Sequence, residues 1–228
     1  MYLVTSMEPV RLQSYIDHTL LRPMATINDI KNLCAEAKIY GFYAICVHGG
    51  YLSTAKKELS QTNIKLAAVM GFPLGAMSTS SKIFEAKDCM ANGADELDMV
   101  INMGWLKSGK VNKVREEIEA IKETMGNKVL KVIIETCYLT NDEKRVACNL
   151  AVAARADFVK TSTGFGTAGA TFDDVRLMIE TVGNKAQIKA SGGIKDYATA
   201  QKYIELGVSR IGTSSGVAMV TTHINPKK

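Results

Sequence analysis

Apolar residues fall along this chain in two alternating rhythms. Short runs rich in β-branched and aromatic side chains recur at 42–49 (FYAICVHG), 65–73 (KLAAVMGFP), 95–102 (DELDMVIN), 130–136 (LKVIIET), 157–163 (DFVKTST), 187–192 (QIKASG) and 209–215 (SRIGTSS). Each predicts a strand. Between them the apolar positions take helical spacing. Helices are predicted over 26–41, with Thr26 as N-cap and Gly41 at the end, over 79–93 and over 110–126, the last two closing at Gly93 and Gly126. The joint of helix, glycine and strand repeats at YGFYAIC, NGADELD and LGVSRIG. At AARADFVK, Arg155 stands where those joints have glycine.

Strands separated by helices imply a parallel sheet. A short eighth strand is predicted at 15–20 (YIDHTL). Eight such units in 228 residues predict the α/β class and a single (β/α)8 TIM barrel over 1–228, with a short N-terminal helix and a short C-terminal tail. In such a barrel the functional groups sit at the C-terminal ends of the strands.

Composition narrows the function. The chain is 46% hydrophobic and 22% charged, as expected of a soluble globular protein with a full core. Its net charge of +5 is spread along the chain and not interleaved with aromatics. That disfavours a nucleic-acid groove and suits an anionic small molecule. No apolar run approaches the roughly 18 residues of a membrane span, so no membrane partner is expected. The start MYLVTSMEPV lacks a basic segment followed by an apolar one, which predicts a cytoplasmic protein. Five cysteines without a C-x-x-C pair argue against a disulfide framework, and three histidines without metal spacing give no support to a metal site.

Against that background two lysines stand out. Lys160 in DFVKTSTGFG and Lys189 in QIKASGGI each lie inside an apolar strand, just before a small-residue turn. Lysine is rarely buried without a partner or a task. One such lysine reads as a side chain snorkelling to solvent. Two on neighbouring strands point to an amine whose pKa is lowered by burial and a second cation, able to attack a carbonyl and form a Schiff base. In ADELDMVIN, Leu97, Met99 and Ile101 alternate with Glu96, Asp98, Val100 and Asn102, so Asp98 is expected inside the barrel. It is either a structural partner of a lysine or a proton shuttle.

Three Gly/Ser turns, STGFG (162–166), SGG (191–193) and GTSSG (212–216), follow consecutive strands. Together they suit a phosphate, held by backbone N–H groups and hydroxyls. Cys46 reads as a small buried hydrophobe. Asp17 and Thr19 are open to two readings, lining the same mouth or capping the next helix. His18 has no evident partner and reads as structural.

These stretches, with IDHTLL, GFPLG, LKVIIET and RIGTSSG, resemble the class I deoxyribose-phosphate aldolases in family order over about residues 12–218. The resemblance implies a barrel with no metal and no organic cofactor that reversibly cleaves 2-deoxy-D-ribose 5-phosphate to acetaldehyde and D-glyceraldehyde 3-phosphate. It makes Lys160 the Schiff-base lysine, Lys189 the lysine that perturbs it and Asp98 the proton-transfer aspartate. Phosphate contacts would fall on Gly164, Gly192, Gly193, Gly212, Ser214 and Ser215. Asp17, Thr19, Cys46, Lys131 and Thr163 would line the pocket. The partner implied is a phosphosugar, and a homodimer is common in the family. The chain departs from the pattern in lacking a tyrosine in its tail, in having Phe165 where some members have lysine, and at Arg155. Two rivals keep the three turns: another phosphosugar enzyme on this barrel, and a non-catalytic phosphosugar-binding module.

Overall fold

The computed structural model describes residues 11–224. The N-terminal helix and C-terminal tail expected from the sequence therefore fall partly outside the described residues. The strands are β1 (Ile16–Thr19), β2 (Ala44–His48), β3 (Lys65–Met70), β4 (Glu96–Val100), β5 (Val129–Ile133), β6 (Phe158–Lys160), β7 (Gln187–Ser191) and β8 (Arg210–Thr213). All eight pair in parallel and in sequence order, and β8 closes on β1 through Asp17 and Gly212. The helices are α1 (Ile27–Tyr40), α2 (Leu52–Glu58), α3 (Thr79–Ala91), α4 (Met103–Lys107), α5 (Val111–Met125), α6 (Asn141–Ala153), α7 (Phe172–Val182), α8 (Tyr197–Glu205) and α9 (Gly216–Ile224). The result is the (β/α)8 barrel that the alternating pattern predicts.

Local chemistry explains the boundaries. Thr26 caps α1 by accepting from the Asp29 amide while the Asp29 carboxylate accepts from the Thr26 amide, a reciprocal capping box. Gly41 ends the helix in the left-handed conformation at φ +68°. Along β4 and the residue after it, the two-residue repeat sends Leu97, Met99 and Ile101 outward into the apolar core that also holds Val114, Ile118 and Ile121 of α5. Glu96 and Asp98 point inward to the ion pairs described below. The apolar core is thus the shell between sheet and helices, and the barrel interior is left to charged groups.

At the joint between α6 and β6, Arg155 takes φ +61°, the region held by Gly41, Gly93 and Gly207 at the other joints. A side chain there costs about 1 kcal/mol or more. The exposed contact of its guanidinium with Glu123, at 3.6 Å, does little to offset that.

β6 is shorter than its pattern predicts, ending at Lys160 rather than Thr163. The polar residues that follow make bonds in which one partner is a side chain. The Thr161 hydroxyl donates to the Ser191 carbonyl, the Ser162 carbonyl accepts from the Ser191 hydroxyl, and the Thr163 amide donates to the Glu135 carboxylate. This early exit carries the chain from Lys160 into the STGFG turn.

Candidate active site

Among the described residues, seven charged side chains fill the barrel interior: Asp17, Glu96, Asp98, Lys131, Lys160, Lys189 and Arg210, each at most 3% exposed. Neighbouring strands bring them together. Lys160 on β6 is in register with Lys189 on β7, and Asp98 on β4 with Lys131 on β5. One oxygen of Asp98, Oδ2, accepts from Lys160 at 2.8 Å and from Lys189 at 2.7 Å, while Oδ1 accepts from Lys131 at 2.7 Å. Lys189 also donates to Asp17, and Lys131 lies 2.6 Å from Glu96. Arg210 closes the network by donating to Glu96 and, at 3.0 Å, to Asp17.

The count decides the chemistry. Four bases face three carboxylates, so full ionisation would leave one positive charge unanswered in a site of low dielectric. Lys131, Lys189 and Arg210 each reach at least two carboxylates, whereas Lys160 reaches only Asp98. Lys160 is the base the network can most easily leave neutral. Burial, and then the Lys189 charge, pull its pKa below that of an ordinary lysine, although Asp98 acts in the opposite sense. Burial acts on Lys189 in the same direction, but Asp17 and Asp98 together override it and raise its pKa. The Asp98 carboxyl, against the strong effect of burial, is held well below its usual range by three lysines.

Lys160 is also the only one of the seven on the wall of a cavity of about 700 Å³ at the C-terminal ends of the strands. The three Gly/Ser turns form one side of that cavity, through Thr163, Gly164, Gly192, Gly193, Gly212, Ser214 and Ser215. The turns fit closely: a Cβ on Gly169 would lie 2.1 Å from the Gly192 carbonyl oxygen. Gly164, Gly192 and Gly193 take φ of +86°, +85° and +79°. Two nearby amides are already engaged, Phe165 N–H and Ser215 N–H donating to the hydroxyls of Thr163 and Thr213.

The remaining expectations meet mixed outcomes. Thr19 lines the cavity. Asp17, Cys46 and Lys131 are fully buried and lie below it, in or beside the ion network, and do not form its wall. Asp17 caps no helix; its carboxylate serves Lys189 and Arg210. Cys46 packs with Leu21, Ala67 and Val69, and burial raises its thiol pKa, as suits a small buried hydrophobe. His18 does have a partner: its Nε2 lies 2.7 Å from the Glu36 carboxylate. The sequence pattern could not reveal this, because Glu36 comes from the face of α1.

This closed parallel barrel places an amine between a charged interior and an open mouth, and the DeoC/LacD family aldolase model matches residues 11–220. The chain belongs to this aldolase family. Over 211 residues it is 53% identical to the deoxyribose-phosphate aldolase of Streptococcus mutans, covering 92% of this chain and 96% of the relative. A deoxyribose-phosphate aldolase of Carboxydothermus hydrogenoformans is 53% identical over 214 residues, covering 92% and 94%. Among solved structures, the deoxyribose phosphate aldolase of Aeropyrum pernix, described as having a unique tetrameric structure, superposes with a TM-score of 0.86 at 32% identity, covering 95% of this chain and 92% of that one.

Three residues of this family member escaped the sequence reading. Lys195 and Arg22 bring positive charge to the cavity wall. The signal for Lys195 was a cation shortly after the SGG turn. Glu135, 1% exposed and at φ +54°, grips both the amide and the hydroxyl of Thr163. It therefore fixes the loop that follows Lys160, and a buried acid just past a strand was its only mark in the sequence.

Proposed function

We propose that this aldolase reversibly cleaves 2-deoxy-D-ribose 5-phosphate to acetaldehyde and D-glyceraldehyde 3-phosphate through a Schiff base on Lys160, consuming sugar released from deoxyribonucleosides. The observation that carries this reading is that Lys160, beside the cavity rimmed by three Gly/Ser turns, has Asp98 as its one carboxylate partner among the described residues. The names and identities of the relatives point the same way.

The steps follow from the groups present. The neutral Lys160 amine adds to the C1 aldehyde of the open-chain sugar, the carbinolamine hydroxyl takes a proton from the solvent-linked Lys189–Asp98 network and leaves as water, and an iminium remains. Asp98 offsets that charge, as it does the ammonium. A proton passes from the C3 hydroxyl to water held by Asp98 and Lys189, the C2–C3 bond breaks toward the iminium, and glyceraldehyde 3-phosphate departs. The enamine is protonated at C2, and hydrolysis frees acetaldehyde and the amine. The very low pKa of Asp98 makes it a weak base while three lysines are charged. It gains basicity when Lys160 is neutral. The turns and Lys195 hold the phosphate, so binding energy distant from the reacting carbon orients the sugar.

The test compares 2-deoxyribose 5-phosphate with unphosphorylated 2-deoxyribose and, separately, reduces enzyme and acetaldehyde with borohydride. The phosphorylated sugar is expected to be cleaved with a kcat/KM at least about 100-fold higher, the scale of one or two charge-assisted hydrogen bonds. A stable two-carbon adduct is expected on Lys160. Equal kcat/KM for the two sugars would remove the phosphate site, and an unmodified Lys160 would remove the Schiff base. A binding module that uses the same turns forms no adduct.

A further inference from the structure

Glu96 and Arg210 are the first residues of β4 and β8, at the N-terminal end of the barrel and away from the substrate cavity. They border a second cavity of about 570 Å³. Both are buried, and Arg210 donates to Glu96. Replacing such a pair by apolar residues is often neutral for stability or better. Yet each is wired to Asp98, Glu96 through one intermediary and Arg210 through two. Glu96 meets Lys131, which meets Asp98. Arg210 meets Asp17, which meets Lys189, which meets Asp98. The Arg210 guanidinium lies 3.6 Å from the centre of the Tyr43 ring, which holds it in place.

We infer that Glu96 and Arg210 are positioning residues that set the charge state of Lys160 by fixing the number of charges in the barrel interior. Without them the interior would hold two carboxylates and three lysines, still one base in excess. With both present it holds three and four. What matters is that they enter as a pair: an interior that gains only the acid has a carboxylate for every lysine and keeps Lys160 protonated, and one that gains only the base has two cations too many. The inference rests on Lys160 being the Schiff-base amine.

The groups that bear on this balance are few. Lys160 faces Asp98 from β4, Lys189 from β7 and Cys46 from β2, whose thiol is kept neutral by burial. Lys131 from β5 and Asp17 from β1 act through Asp98 and Lys189. Arg210 faces Asp17, Glu96 and Tyr43.

The test is the pH dependence of borohydride trapping with acetaldehyde, the adduct being located on Lys160 by peptide mass. Arg210→Met is expected to move the midpoint alkaline, because three carboxylates then hold Lys160 as the third cation. Glu96→Gln is expected to move it acid. Each shift should be on the order of one pH unit, the scale of a charge acting across one ion pair at an effective protein dielectric of about 20. The double variant Glu96→Gln/Arg210→Met should return close to the original midpoint, and Arg210→Lys should not leave it. A merely structural role predicts no opposed signs and no cancellation. Shifts of the same sign, no shift, or a double variant that fails to cancel would overturn the inference while the adduct remains on Lys160. If Arg210→Met does not fold, the nearly isosteric Glu96→Gln decides alone: an acid shift supports the inference, and an unmoved midpoint overturns it. Absence of any adduct in the unaltered enzyme counts against the Schiff-base reading instead.

Discussion

Buried charge is used in two ways in this molecule. Between α3 and α5, Lys82 and Glu117 make a closed pair, 2.8 Å apart with both side chains inaccessible, and Lys82 also donates to the Val100 carbonyl at 2.7 Å. Between α6 and α7, Lys144 meets Asp174 at 2.5 Å. In each pair every charge is answered one to one. Inside the barrel, four bases share three acids. A closed pair can only join two helices. An odd count leaves one amine whose proton is cheap to remove, and the strand register puts that amine at the cavity.

Changes to the odd base and its neighbours should remove chemistry, and changes to the closed pairs should remove only stability. Lys160→Met has the largest expected effect: loss of turnover and of adduct, with the fold intact, checked by the cleavage assay and circular dichroism. Residual cleavage above background would mean another group is the nucleophile. Lys189→Leu is expected to slow turnover about 100-fold or more, as loss of a proton-transfer group does. It should also raise the pKa of Lys160, because the remaining bases no longer outnumber the carboxylates. The trapping midpoint should therefore move alkaline, and an unmoved midpoint would uncouple the two lysines.

Lys82→Met breaks a closed pair and should cost about 3 kcal/mol or more by stranding Glu117, read in urea unfolding. Much of that should return in Lys82→Met/Glu117→Leu. Neither variant should move the trapping midpoint; if one does, the two kinds of site are not separate. The smallest effect concerns Arg155. Arg155→Gly should raise stability by roughly 0.5–1 kcal/mol, since glycine takes φ +61° without strain, and leave kcat unchanged. A lower melting temperature would show that the Glu123 contact outweighs the strain.

The sequence made the barrel readable because strand and helix periods alternate cleanly and glycine marks the joints. It also put Lys160, Lys189 and Asp98 inside, since a charged residue in an apolar strand has only two faces to choose from. It could not show the charge count. Arg210 in SRIGTSS reads as an ordinary strand-start cation, and its role depends on Asp17, Glu96 and Tyr43, which are distant in sequence. Lys131 looked like a wall residue for the same reason. Only the closure of β8 on β1 shows Asp17 holding Lys189 and Arg210 together. Glu135 and His18 were misjudged or missed because their partners, Thr163 and Glu36, lie on other elements.

If Lys160 is the base left uncharged, the rate of acetaldehyde trapping in the unaltered enzyme, followed against pH, measures this directly. A neutral amine reacts and an ammonium does not, so the rate should rise with pH through the pKa of Lys160 and fall away as that group gains its proton at lower pH. The predicted midpoint lies below the ordinary lysine value of 10.5. A midpoint at or above that value, with the adduct on Lys160, would contradict the account.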